Sequence, residues 1–204
     1  MLNTILYSLL GYLSGSILSS QAAGALFHSD DITINSIDHN PGVYNAFKNG
    51  GFWFGLFVLA GDLLKGFLPV FLYLHLVPFS LHAEGLCFVL AAPVLGTLLP
   101  VWRKGNGGIG ITVSFGVLLA LIPNWLPVLA LAVSFVLFSC VLVINPHYYR
   151  TLFSFIVFAC LVLVLPVAVN VSMGCMIISL SVIINLVMRK STFSEFTIEP
   201  VWKR

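Results

Sequence analysis

The sequence predicts an all-α, polytopic integral membrane protein of about seven transmembrane helices, with its N-terminus outside and its C-terminus cytoplasmic. Three observations carry that reading. Hydrophobic residues make up 59% of the 204 positions and charged residues only 8%, far below the ~25% charged that is usual in soluble domains. The mean hydropathy of +1.06 belongs to a chain that faces lipid. Finally, Lys and Arg are confined to one side of the connections between the apolar stretches.

A spanning helix needs ~20 mostly apolar residues. On that measure the spans are 2–27, 51–77, 81–102, 109–122, 125–144, 151–166 and 167–188. Residues 1–27 contain no Lys or Arg, so the first span lacks the positive n-region of a cleavable signal and reads as a retained helix. The fourth and sixth spans are short and must thin the bilayer locally or be covered by their neighbours. Pro69, Pro93, Pro123, Pro127 and Pro166 mark kinks or ends. Lys48, Arg103, Lys104, Arg150, Arg189, Lys190, Lys203 and Arg204 fall in connections or tail on one side, whereas connections 78–80, 123–124 and 166–167 hold none. That asymmetry sets the orientation. With no internal repeat, residues 1–204 read as one transmembrane domain. The net charge of +2 is too small to point to nucleic acid. Cys87, Cys140, Cys160 and Cys175 stand singly in apolar runs and suggest neither a disulfide framework nor a metal site.

The remaining basic residue is Lys65, inside the second span, three residues after Asp62 in Gly61-Asp62-Leu63-Leu64-Lys65-Gly66. Opposite charges at that spacing share a helix face and partly neutralise each other. Ionisable groups at membrane depth are costly and are functional candidates by default.

Two polar connections lie on the same side. Residues 29–51, SDDITINSIDHNPGVYNAFKNGG, are too long for a simple turn and too rich in Asn, Asp and Gly for a helix. Residues 103–110, RKGNGGIG, lead into the fourth span. Their glycines would let backbone N–H groups converge as an anion nest, with the helix N-terminus, Arg103 and Lys104 adding positive potential; a flexible hinge is the alternative. His39 reads as a solvated loop residue. His147, with Tyr148 and Tyr149, reads as part of an aromatic belt at the start of the sixth span.

In order along the chain, these elements resemble the PlsY family, the bacterial membrane acyl-phosphate–glycerol-3-phosphate acyltransferases. Gly15-Ser16-Ile17 looks like the family's GSIP element, with Leu18 in place of proline. Asn40-Pro41-Gly42-Val43-Tyr44-Asn45 resembles the S-x-N-x-G-A-T-N loop, and Gly61–Gly66 matches D-x-x-K-G. Leu95-Gly96, Pro100-Val101 and Lys104-Gly105-Asn106-Gly107-Gly108 resemble G-H-x-F-P-V followed by F-K-G-G-K-G. Arg189, Glu199 and Pro200 resemble a shortened R-H…N…E-P tail.

The resemblance implies acyl transfer from acyl phosphate to the 1-hydroxyl of glycerol 3-phosphate, giving lysophosphatidate and inorganic phosphate, at the bacterial inner membrane. It implies no metal, cofactor or acyl-CoA. Asn40, Gly42 and Asn45 would line the substrate loop, Lys65 would supply charge to a substrate phosphate with Asp62 orienting it, and Lys104, Gly105 and Gly108 would cradle the donor phosphate. Five positions depart from the pattern. Asp38 stands for serine, Tyr44 for threonine, Thr97 for histidine, Gly107 for the second lysine of the glycine-rich loop, and Lys190 for the histidine after Arg189. They leave open a catalytically altered or inactive relative that binds a phosphorylated lipid or polyol. The buried charged pair leaves open a small-solute transporter.

Overall fold

The computed structural model describes residues 1–28, 40–78, 85–103, 107–189 and 197–200. The protein is mostly helical: α1 (Leu2–Ser16), α2 (Ser19–Phe27), α3 (Val43–Gly50), α4 (Phe52–Leu76), α5 (Leu86–Leu98), α6 (Ile111–Leu119), α7 (Leu126–Val136), α8 (His147–Val164) and α9 (Val169–Met188), with strands β1 (Leu142–Asn145) and β2 (Thr197–Pro200). Three of these, α4, α8 and α9, are long and apolar enough to cross a membrane.

The first expected span is broken. Ile17 and Leu18 are extended between α1 and α2, flanked by Ser14, Ser16, Ser19 and Ser20. The break frees the Ile17 carbonyl from helical bonding, and a cation takes it up, as described below.

The 29–51 connection also differs from expectation, because its second half forms α3. Gly42 starts the helix in an extended conformation, and Gly51, at φ 84°, ends it and turns the chain into α4. The helix is stabilised by its buried side rather than by propensity. Asn45 and Ala46 are buried, Ala46 clusters with Phe54, Val58 and Ala23, and the Phe47 ring lies where a side chain at Gly55 would stand.

A third difference lies in the expected 125–144 span. Its helix α7 loosens into a π-turn over Leu137–Val141 and then becomes β1, which pairs antiparallel with β2 near the C-terminus. The fold class is therefore mostly α with a two-stranded ladder. The ladder holds the start of α8, where Arg150 donates from Nε and Nη2 to the Ile144 carbonyl (3.2 Å each) and from Nη2 to Asn145 Oδ1 (3.2 Å). Helix α8 thus begins at His147, four residues before the expected sixth span.

The bundle packs backbone on backbone at two crossings. A Cβ at Gly15 would strike the Pro93 carbonyl and one at Gly96 the Tyr12 carbonyl, so α1 and α5 touch through bare glycines. Likewise a Cβ at Gly66 would strike Val113 O and one at Gly116 would strike Leu63 O, between α4 and α6. Such small-residue crossings suit helices in lipid, where close van der Waals packing replaces the hydrophobic effect as the source of association. The apolar core joins α4, α5, α6, α8 and α9 around Tyr73, Leu90, Phe155, Phe158 and Ile178, while Leu2, Ile5, Leu6 and Leu9 of α1 point outward.

A cavity at four helix N-termini

Asp62 and Lys65 lie one turn apart on α4, both only 8% exposed, with Lys65 Nζ 2.9 Å from Asp62 Oδ1. Asp62 is ten residues into the helix, about 15 Å along its axis. The surroundings satisfy the pair. Ser19 Oγ, at the start of α2, donates to Asp62 Oδ1 (2.7 Å). Lys65 Nζ donates to the Ile17 carbonyl freed by the α1/α2 break (3.1 Å). Ser14 Oγ donates to the Lys65 carbonyl (3.1 Å). A side chain at Gly61 would press on Ser19, with a Cβ 2.8 Å from its hydroxyl. The break in the first span is thus what makes the buried charges affordable, since a continuous helix would offer neither the carbonyl nor the serine. Among the described residues, two of the three Lys65 N–H donors are taken.

The pair forms the floor of a cavity of about 220 Å³. Its walls come from four separate helix starts: Leu18 and Ser19 at α2, Gly42 to Tyr44 at α3, Gly110 to Thr112 at α6, and His147 at α8. The N-cap residues are Leu18, Gly42, Gly110 and Pro146, and none places a side-chain cap on its first turn. The first N–H groups of a helix have no partner within it, and each helix start carries roughly half a positive charge. The cavity therefore offers amide donors and positive potential with little formal charge, since Asp62 cancels Lys65. That environment suits an anion such as phosphate.

Of the residues expected at the site, Asn40, Gly42, Asp62, Lys65 and Gly108 line this cavity. Asn45 stands behind it, buried, with Nδ2 donating to the Asn40 carbonyl (2.8 Å) and so holding the loop in shape. Lys104 and Gly105 lie outside the described residues, as do Asp38, His39 and Lys190. Gly108 faces the cavity, but its N–H is spent on the Thr97 carbonyl (2.9 Å), so the amides that α6 presents are those of its first turn.

The departures gain a structural meaning. The Thr97 hydroxyl points at two carbonyls, Gly15 O (3.1 Å) and Pro93 O (3.0 Å), and pins α1 to α5 at the cavity wall. A Cβ at Gly107 would strike that same Thr97 carbonyl, so no longer side chain fits there. Tyr44, 63% exposed, stacks on His147 across the gap between α3 and α8, with ring centroids 6.0 Å apart and planes at 21°. Lys48 Nζ lies 5.9 Å from the centre of the Tyr44 ring.

Sequence reasoning missed Ser19 and His147 as cavity residues. The available signals were Pro146 before His147, a common helix-opening residue, and the serine pair following Leu18.

A family model described as glycerol-3-phosphate acyltransferase matches residues 5–192. A glycerol-3-phosphate acyltransferase of Janthinobacterium sp. (strain Marseille) is 34% identical over 165 residues, covering 75% of this chain and 81% of that one. Another from Pasteurella multocida (strain Pm70) is 40% identical over 116 residues, covering 55% of this chain and 54% of its own length. The crystal structure of PlsY, an integral membrane glycerol 3-phosphate acyltransferase, in its glycerol 3-phosphate form, matches 94% of this chain and 96% of its own with a TM-score of 0.75. At 24% identity that likeness establishes a shared fold.

Proposed function

The chain belongs to the glycerol-3-phosphate acyltransferase family, and from that premise we propose where and how it acts. It is a membrane acyltransferase of phospholipid biosynthesis that acylates glycerol 3-phosphate. The donor is acyl phosphate, and the products are lysophosphatidate and inorganic phosphate. The observation that carries this reading is the convergence of Lys65 with four helix N-termini on one cavity.

In the reaction an acceptor hydroxyl attacks the acyl carbonyl, the acyl–phosphate bond breaks, and phosphate departs with the electron pair, the hydroxyl proton ending overall on the released phosphate. Charge grows on the leaving phosphate. Fixed amide dipoles and the remaining Lys65 donor stabilise it without reorganising, and holding both substrates in one pocket contributes further. Asn40, Gly42 and Asn45 shape the acceptor loop, Asp62 orients Lys65, and Lys104, Gly105 and Gly108 form the donor side. The chain is one domain of seven spans, α1 with α2 making a single broken crossing, in a bacterial inner membrane with its N-terminus outside. The one-sided distribution of Lys and Arg supports that orientation.

Purified protein in detergent, given palmitoyl phosphate and glycerol 3-phosphate, is expected to release inorganic phosphate and form lysophosphatidate, with Lys65→Ala lowering turnover at least a hundredfold. Absence of release by the wild-type protein with any acyl phosphate and polyol-phosphate pair overturns the reading.

A further inference from the structure

The cavity is small for two substrates. At about 220 Å³ it lies below the ~300–1,000 Å³ usual for small-molecule sites, so its walls decide what enters. Tyr44 and His147 both line it, and their rings stack across the gap between α3 and α8 with centroids 6.0 Å apart. Tyr44 is nevertheless 63% exposed. A ring that meets the cavity on one side and solvent on the other is a partition between them. We propose that the Tyr44–His147 stack is the solvent-side wall of the acceptor subsite, and that it limits the acceptor to a three-carbon polyol phosphate. This inference rests on the acyl-transfer reading above.

Both halves of the wall are braced. Helix α3 is held by Ala46 against Phe54 and Val58, and Asn45 Nδ2 donates to the Asn40 carbonyl ahead of it. The start of α8 is held by Arg150, which donates to the Ile144 carbonyl and to Asn145 Oδ1. The other lining residues indicate which substrate meets the rings. Tyr44 lies between Gly42 and Asn45, in the segment assigned to the acceptor, whereas Ile109, Ile111 and Phe135 offer an apolar side suited to an acyl group. A polyol phosphate is water-borne and arrives from solvent, the side that Tyr44 faces, while an acyl chain stays with lipid. Asp62 and Lys65 close the floor. With its phosphate held by the helix-start amides, an acceptor longer than three carbons has to extend toward the stack, where two rings stand in its path. Lys48, whose Nζ lies 5.9 Å from the centre of the Tyr44 ring, adds positive charge near that wall and favours an anionic acceptor over a neutral polyol.

The test uses the full-length protein in detergent with palmitoyl phosphate and three acceptors: glycerol 3-phosphate, the five-carbon ribitol 5-phosphate and the six-carbon mannitol 1-phosphate. The readout is kcat/KM for each longer acceptor divided by that for glycerol 3-phosphate, a ratio that a uniform loss of activity does not move. Wild type is expected to favour glycerol 3-phosphate, and Tyr44→Ala and His147→Ala should each raise the ratio about tenfold or more. The double variant should raise it little beyond either single one, since loss of one ring already breaches the wall. Tyr44→Phe, which keeps the ring contact, should keep the wild-type ratio. Because Tyr44 is mostly exposed, its truncation should leave the melting temperature near that of wild type. A wild type that takes all three acceptors equally, or alanine variants with an unchanged ratio, overturns the proposal and leaves the acyltransferase reading standing. Loss of turnover in equal proportion for every acceptor marks a structural role and also overturns it. A wild-type protein that releases no phosphate with any of the acceptors defeats the underlying reading and takes this inference with it.

Discussion

Glycines 107 and 108 are chemically identical neighbours with different duties. A methyl group at position 107 meets the Thr97 carbonyl, whereas one at 108 meets nothing nearer than the Thr97 methyl at 3.4 Å, an ordinary contact, beside the open cavity. Gly107→Ala should therefore cost stability, about 1–3 kcal/mol as overpacking does, seen as a lower melting temperature in detergent. Gly108→Ala should melt like wild type but raise the KM for substrate. The buried pair gives a second expectation at this scale. Asp62→Ala leaves an ammonium without its carboxylate, a change that costs about 3–5 kcal/mol where a buried pair loses one member, so it should lower thermal stability as well as turnover. The pair itself was legible in the sequence because two charges in an apolar run cannot go unnoticed. What held them was not. Ser19 and the Ile17 carbonyl are 43 and 48 residues from their partners, and no local pattern links them.

Elements were legible where one strong period decided them and obscure where two tendencies competed. The long apolar run of α4 was read within a residue or so of its ends. Helix α3 was not, because Asn, Gly and a short length argue against a helix until Ala46 finds its place against Phe54 and Val58. Residues Leu142–Asn145 are as apolar as the helix before them, and only a strand more than fifty residues later in the chain turns them into β1. That long-range pairing has a measurable consequence. Deleting residues 197–204 leaves β1 without its partner and loosens the support of α8, while the cavity-lining residues stay in the chain. Turnover should fall severalfold, with a smaller change in melting temperature than that caused by Asp62→Ala. Equal activity in the truncated and full-length proteins would separate the ladder from the site.

For the whole molecule, composition and charge asymmetry were enough to predict a membrane-embedded helical bundle, and the resemblance of its ordered motifs anticipated the family. Orientation remains a property of the entire chain rather than of any element. The proposed seven-span topology puts eight of the nine basic residues on one side, so a cytoplasm-dependent reporter fused after Arg204 should be active, while one fused ahead of Met1 should behave as exported. The reverse pattern would invert the cavity's access as well.

The glycine crossings carry one more consequence, which concerns how such a protein can drift. Gly15, Gly96, Gly66 and Gly116 have no tolerated replacement that leaves the bundle in place, because even one carbon meets a carbonyl oxygen of the facing helix. The rim of the cavity is made differently, from helix starts whose amides are present whatever side chain they bear. Heritable change can therefore alter the rim's side chains one by one, as at Tyr44, while the amide donors and the frame around them persist. A library randomised at both sets of positions and selected only for membrane insertion should return nearly pure glycine at the four crossings and broad variety at the rim.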